Sequence, residues 1–368
     1  MFAERLQRAW YARQPALLAS LLRPLAWLFG AAAALRRAAY RRGVLPSVRL
    51  PVPVIVVGNV TAGGAGKTPL VCAIVEMLRD HGRHPAIVSR GYGRWTGDTR
   101  GVDAHADARD VGDEPLILAA TGVPVWVGTK RPDAVRAVLA AHPDVDVVVA
   151  DDGLQHYALA RDIEIAVVDG EHGLGNGLLL PAGPLREPAA RLGTVDAVVR
   201  LEAPDALAGS AASAVASDGK TKARGVASGD RTFAMAYEAR AWRNVADPRM
   251  TFDPRALPDP RSVAIAGIAH PQRFFDLLRA RGFCGRTVAF PDHHAYTRAD
   301  LRFADAQAIL MTEKDAVKCR AFADERMWML PILARVDAAL FDLILERLRG
   351  LQAARDARLS GHQGPAHP

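Results

Sequence analysis

Residues Gly58 to Pro69 read GNVTAGGAGKTP, and their order points to phosphate chemistry. Gly63, Gly64 and Gly66 let the backbone turn tightly enough for successive N–H groups to face phosphate oxygens, and a helix starting just after them adds the positive end of its dipole. Lys67 is spaced to reach the β- and γ-phosphates of a nucleotide such as ATP, and the Thr68 hydroxyl to sit on Mg2+. The expected nucleotide cradle is therefore Thr61, Ala62, Gly63, Gly64, Ala65, Gly66, Lys67 and Thr68. Two positions depart from wider patterns. Thr61 stands where a phosphate loop usually has its first glycine, and Ala62 where dimerising ATPase switches carry an extra lysine.

Three acidic sites accompany the loop. Asp151-Asp152-Gly153 ends the apolar run Val145 to Ala150, where a buried strand can present a carboxylate to a phosphate-bound metal. The other reading of that pair is a turn cap. Gly112-Asp113-Glu114-Pro115 follows Ser89-Arg90-Gly91-Tyr92-Gly93, and Asp292-His293-His294 lies far downstream. An Asp beside a His can serve as a base and its orienting partner.

These residues need a scaffold that holds them at strand ends. Pro51 to Gly58 reads as a buried parallel strand, and Pro69 to Arg79 as a helix, with Leu70, Val71, Ile74, Val75 and Leu78 at helical spacing. Further short strands fall at Ala86 to Ser89, Val123 to Val127, Val145 to Ala150, Ile163 to Asp169 and Ala197 to Arg200, with a helix from Pro132 to Ala141. Alternation of this kind predicts an α/β fold of the P-loop NTPase type, with a mostly parallel sheet covered by helices on both faces. Residues 203 to 230 are Gly/Ser-rich and read as a loop or linker. A second α/β run begins at Arg261 to Ala266. It continues with helices around Pro271 to Arg281 and Arg298 to Ala306 and strands at Thr287 to Phe290 and Ala308 to Thr312. The expected organisation is an arm (1–50), a phosphate-loop domain (51–230), a smaller α/β domain closing over the site (231–350) and a mobile tail (351–368). No internal repeat is evident.

Charge separates arm from body. The 368 residues net +7, but residues 1–50, with nine arginines and the single acid Glu4, carry +8, leaving the remainder at −1. A nearly neutral body excludes a surface-wide nucleic-acid footprint. The apolar stretch Ala16 to Leu35 is broken by Arg23-Pro24 and flanked by arginines, which favours an amphipathic helix lying at a membrane surface over a clean span. Cys72, Cys284 and Cys319 match no metal spacing and read as buried structural thiols in a reducing compartment.

Taken in order, GNVTAGGAGKTP, SRGYG, GDEP, DDGLQH, LLPAGPLREP (Leu179 to Pro188), FPDHHAY and MTEKDAVKC closely resemble the tetraacyldisaccharide 4'-kinase (lipid A 4'-kinase) family over about residues 15 to 335. For that family Thr61 is normal. The resemblance implies Mg2+-dependent transfer of the ATP γ-phosphoryl group to the 4'-hydroxyl of a tetraacylated glucosamine disaccharide 1-phosphate, giving lipid IVA, at the cytoplasmic face of the inner membrane. It implies that Lys67 and Thr68 hold phosphate and metal, with Asp151 and Asp152 completing the metal site and Glu187 in the metal or substrate shell. It implies that Asp113 takes the hydroxyl proton, oriented by His293 rather than His294, and it places Arg90, Tyr92 and Arg131 near the lipid's phosphate or sugar. Two other readings compete. A membrane-recruited ATPase switch leaves Asp292-His293-His294 and the LREP segment without a role, and a metal phosphoesterase needs further Asp/His clusters that the sequence does not display.

Overall fold

In a computed structural model, described here for residues 6, 9–12, 17–103, 106–202, 231–257, 259 and 261–360, Val54–Gly58 (β1) is buried at every position, as its β-branched run requires. It sits inside a nine-stranded sheet ordered β15-β8-β7-β6-β1-β5-β2-β4-β3. The partners are Pro85–Ser89 (β2), Arg100–Gly101 (β3), Val125–Val127 (β4), Val147–Asp151 (β5), Ile163–Asp169 (β6), Ala197–Leu201 (β7), Thr232–Ala239 (β8) and Ile332–Val336 (β15). β1 to β8 pair in parallel apart from β3, and β15 runs antiparallel to β8. Register does the positioning: Val57 lies opposite Asp151 and Gly58 opposite Ala166, so the phosphate loop leaves the sheet beside the carboxyl ends of β5 and β6. That is the crevice at which open α/β sheets bind ligands.

Both faces are covered. Ile55 and Val57 point into a core shared with Leu70, Ile74 and Leu78 of Lys67–Asp80 (α2) and with Leu340, Ile344 and Leu348 of Ala338–Ser360 (α7). Val54 and Val56 face the opposite core, where Ala134, Val135 and Val138 of Arg131–Ala141 (α4) pack. Each such large apolar side chain contributes roughly 1.5–3 kcal/mol on burial. Asp113–Ala119 (α3) starts within the GDEP segment, directly after Gly112, and adds Leu118 to the first of these cores.

The second lobe is a six-stranded sheet ordered β10-β9-β14-β13-β11-β12. It consists of Trp242–Asn244 (β9), Thr251–Phe252 (β10), Ser262–Ala266 (β11), Arg286–Ala289 (β12), Ala308–Thr312 (β13) and Met327–Leu330 (β14), with helices Pro271–Arg279 (α5) and Glu313–Cys319 (α6).

Four expectations differ from what is observed. The sheets do not divide at 230/231: β8 and β15 both belong to the first sheet, and α7 packs on it, so the second lobe is an insertion running from β9 to β14. The composition shift at 203–230, residues outside those described, says nothing about which sheet the next strand joins. The tail expected from 351 is helical to Ser360 as part of α7, and 361–368 lie outside the described residues. Arg298 to Ala306 forms turns rather than a helix, with Asp300 accepting from both the backbone N–H and the hydroxyl of Thr297. Of the three cysteines only Cys319 is fully buried, and Cys284 is exposed.

At the N-terminus the apolar stretch is broken just ahead of Pro24: a five-residue helix, Leu17–Leu21, ends at a turn on Leu22 before Arg23–Arg41 (α1) begins, and Pro24 sits in the first turn of α1, where its missing N–H has no intrahelical partner to lose.

Candidate active site

The phosphate loop is pinned from outside. Ala62 N–H donates to the Pro184 carbonyl at 2.7 Å and Arg186 N–H to the Val60 carbonyl at 2.7 Å, while Thr61 bridges Leu185. Segment 179–188 is therefore the loop's backing. Asn59 Nδ2 donates to Thr61 Oγ1 and to the Gly63 carbonyl, both at 3.2 Å. Gly63 and Gly66 have φ of 106° and 86°, which only glycine adopts without strain. A Cβ at Gly66 would also collide with the Tyr237 hydroxyl. Lys67 and Thr68 open α2, so the first free N–H groups of the helix face the loop. Lys67 Nζ lies 3.4 Å from Asn59 Oδ1 and 3.6 Å from Asp152 Oδ1.

Asp151 and Asp152 have opposite environments. Asp152, at a left-handed φ of 47°, meets Lys67 and, at 3.2 Å, Arg186 Nη1. Burial opposes its ionisation, but Lys67 and Arg186 outweigh that and hold the carboxyl well below the usual range. Asp151 is fully buried and neither of its carboxylate oxygens has a hydrogen-bond partner. Burial, with Glu114 nearby, pushes its carboxyl up. An orphaned buried carboxylate beside a phosphate loop is costly unless a cation completes it, and the hard oxygens of Asp151, Asp152 and Thr68 suit Mg2+.

Across the crevice, His293 Nδ1 lies 2.9 Å from Asp113 Oδ2 and 3.1 Å from Oδ1. Asp113 opens α3 after Gly112, at φ 94°, and accepts from Glu114 N–H at 2.9 Å. Burial raises its proton affinity, but the hydrogen bond from His293 and the ammonium of Lys314 prevail and lower its pKa. His293 sits on the loop after β12 at a left-handed φ of 59°, its N–H donating to the Gly267 carbonyl at 3.2 Å. Gly267 N–H in turn donates to Asp315 at 3.1 Å. His294 stacks on Phe290 at 4.7 Å, and its Nε2 lies 3.5 Å from Asp300 without a hydrogen bond, so the ring packs within its own lobe, away from Asp113.

The other expected residues divide. Tyr92, 61% exposed, sets its ring 5.0 Å from that of His293. Arg90 is exposed. Arg131 is 1% exposed and donates to the carbonyls of Gly128 and Asp151, so it braces the end of β5 instead of facing a lipid. Glu187 is held by the Tyr157 hydroxyl and, at 3.0 Å, by Gln155 Nε2, which commits both oxygens to protein donors. Sequence reasoning missed Asn59, Gln155, Arg186 and Lys314, although all four lie inside quoted motifs. It also missed Asp169, His172 and His270, whose ligand atoms lie within 4.8 Å of one another. There Arg273 Nη2, 2.6 Å from Asp169 and 3.2 Å from His172 Nδ1, already supplies the positive charge.

The phosphate loop, Asp152 and Arg186 on the first lobe and His293 and Lys314 on the second line one cavity of about 910 Å³. It is large enough for a nucleotide and part of an acceptor. A family model described as tetraacyldisaccharide-1-P 4'-kinase matches residues 18–349. Similar proteins include the tetraacyldisaccharide 4'-kinases of Dechloromonas aromatica (strain RCB), 47% identical over 96% of this chain and 100% of that one, and of Azoarcus sp. (strain BH72), 49% identical over 92% and 94%. A crystal structure of the "apo" form of LpxK from Aquifex aeolicus in complex with ATP superposes with a TM-score of 0.74 at 28% identity, covering 90% of this chain and 100% of that one.

Proposed function

The chain belongs to the tetraacyldisaccharide-1-P 4'-kinase family, and from that premise we propose how its own residues carry the reaction. The protein phosphorylates the 4' position of a tetraacyldisaccharide 1-phosphate with ATP, a step of lipid A biosynthesis. The 4'-oxygen forms a bond to the γ-phosphorus as the bond from that phosphorus to the β,γ-bridging oxygen breaks. ADP leaves with the electron pair, and the hydroxyl proton passes to the Asp113 carboxylate. Phosphoryl transfer of this kind rests on positioning and charge neutralisation. Lys67 and the loop N–H groups hold the phosphates. Mg2+, when bound, neutralises charge on the phosphoryl oxygens, and Thr68, Asp151 and Asp152 would hold it. Glu187 acts one step back, fixing Gln155 and Tyr157, and Tyr92 and Arg90 flank the acceptor.

The arrangement of α1 supports lipid delivery at a membrane surface. Leu25, Trp27, Leu28 and Leu35 of α1, and Leu17 and Leu21 just before it, are exposed, while Arg36 and Arg37 bind the body at the Gln155 carbonyl and Thr194 Oγ1. Among the described residues no helix is long and apolar enough to cross a membrane. We place α1 flat in the cytoplasmic leaflet of the inner membrane, where arginines gain roughly 1 kcal/mol each from an anionic surface.

The single observation that carries this reading is the cavity lined by a phosphate loop on one lobe and, on the other, by His293, which pairs across the lobes with the buried Asp113. Incubation with γ-labelled ATP, Mg2+ and the tetraacyldisaccharide 1-phosphate should move label to the lipid, and Lys67→Ala should abolish it. Label appearing only as inorganic phosphate, with the lipid untouched, would contradict the reading and favour an ATPase switch.

A further inference from the structure

Lys314, the second residue of α6, is in none of the roles assigned so far. Its side chain is largely buried and its Nζ lies 3.2 Å from Glu114 Oε1, 3.3 Å from His293 Nε2, 3.7 Å from Asp292 Oδ1 and 4.0 Å from Asp113 Oδ2. An ammonium carries donors and no acceptor, so a hydrogen bond between Lys314 and His293 requires a lone pair on Nε2. An ionised carboxylate only accepts, so Nδ1 must carry the proton that meets Asp113. Both ring nitrogens are then committed: Nδ1–H to the first lobe, Nε2 to Lys314. A neutral imidazole held this way has no free site for a substrate proton. Asp113 retains one, because a carboxylate offers about four acceptor positions and His293 with Glu114 N–H occupy three at most.

We infer that Lys314 is a positioning residue that fixes His293 in its Nδ1–H tautomer and thereby directs the hydroxyl proton to Asp113 rather than to the imidazole. It acts through His293. The same ammonium also clasps the lobes, because Glu114 and Asp113 belong to α3 of the first and Lys314 and Asp292 to the second. Burial disfavours its charge, but Glu114, Asp113 and Asp292 outweigh burial and raise its pKa, so it stays protonated wherever the enzyme works. The inference rests on the Asp113–His293 reading above.

The test uses the full chain labelled with 15N at histidine, together with Lys314→Met and Lys314→Arg. In the wild type, long-range 15N–1H correlation should show His293 with Nδ1 protonated and Nε2 bare. Lys314→Met should release Nε2, mix the tautomers and lower kcat roughly ten- to a hundredfold with KM for ATP little changed. Lys314→Arg, which keeps a donor-only cation, should restore the tautomer and much of kcat. An Nε2–H tautomer in the wild type would overturn the inference whatever the variants do. So would a Lys314→Met enzyme with wild-type kcat and the wild-type His293 tautomer while His293→Ala is impaired. Wild-type turnover in His293→Ala would instead remove the dyad itself.

Discussion

Asp152 and His293 are the two non-glycine residues with positive φ among those described, and both stand at the reacting centre. Such backbone costs on the order of 1–3 kcal/mol each and persists only where surrounding bonds impose it. For Asp152 these are Lys67 and Arg186, and for His293 they are Asp113 and the Gly267 carbonyl. The motif residues were legible because phosphate loops and strand-end acids act through local sequence. Lys314 and Arg186 were not, since each partner lies far away in the chain and spacing carries no trace of it. Arg131 misled for a related reason: an arginine reads as an anion ligand until its burial is known. His156, in the DDGLQH motif, gives a test at this scale. Burial, with Arg131 and Arg90 adding, pulls its pKa down to about 4, so between that pH and the unfolded value near 6.5 the unfolded chain binds more protons and stability rises with pH. Urea unfolding at pH 7.5 and pH 5 should show the wild type losing about 2 kcal/mol more than His156→Asn. An equal loss in both would mean that His156 is not buried neutral.

At the scale of elements, periodicity located β1, α2, β6 and β13 closely because each buries a full face or both faces. It failed at Arg298 to Ala306, where Leu301 and Ala306 are buried on turns whose geometry the spacing does not encode. Neither β8 nor β15 could be assigned to the first sheet, because the return of a chain after a 92-residue excursion, 240 to 331, between the end of β8 at Ala239 and the start of β15 at Ile332 is a tertiary choice. The amphipathic character of α1 was legible, and its docking onto Gln155 and Thr194 was not. If α1 rests in a bilayer through its exposed face, Leu25→Glu with Leu28→Glu should release the protein from liposomes containing anionic lipid in a flotation assay. High salt alone should weaken binding only in part, since burial of apolar side chains persists when charge is screened. A double variant that floats like the wild type would remove α1 as the anchor.

For the whole molecule, the net charge of +7 belongs to the first 50 residues, and the body that remains is a nearly neutral two-lobed kinase. Asp113 lies on the first lobe and His293 on the second, so proton removal depends on the lobes meeting, and closure, nucleotide and acceptor become one event. The most direct test of that arrangement is single-turnover transfer from γ-labelled ATP to the lipid acceptor by His293→Ala and Asp113→Ala, beside His294→Ala, with ATP binding measured in parallel. The account predicts that His293→Ala and Asp113→Ala each lose about 10²- to 10⁴-fold in rate with ATP still bound, while His294→Ala transfers label at near the wild-type rate. Wild-type transfer by His293→Ala, or a loss confined to His294→Ala, would contradict it.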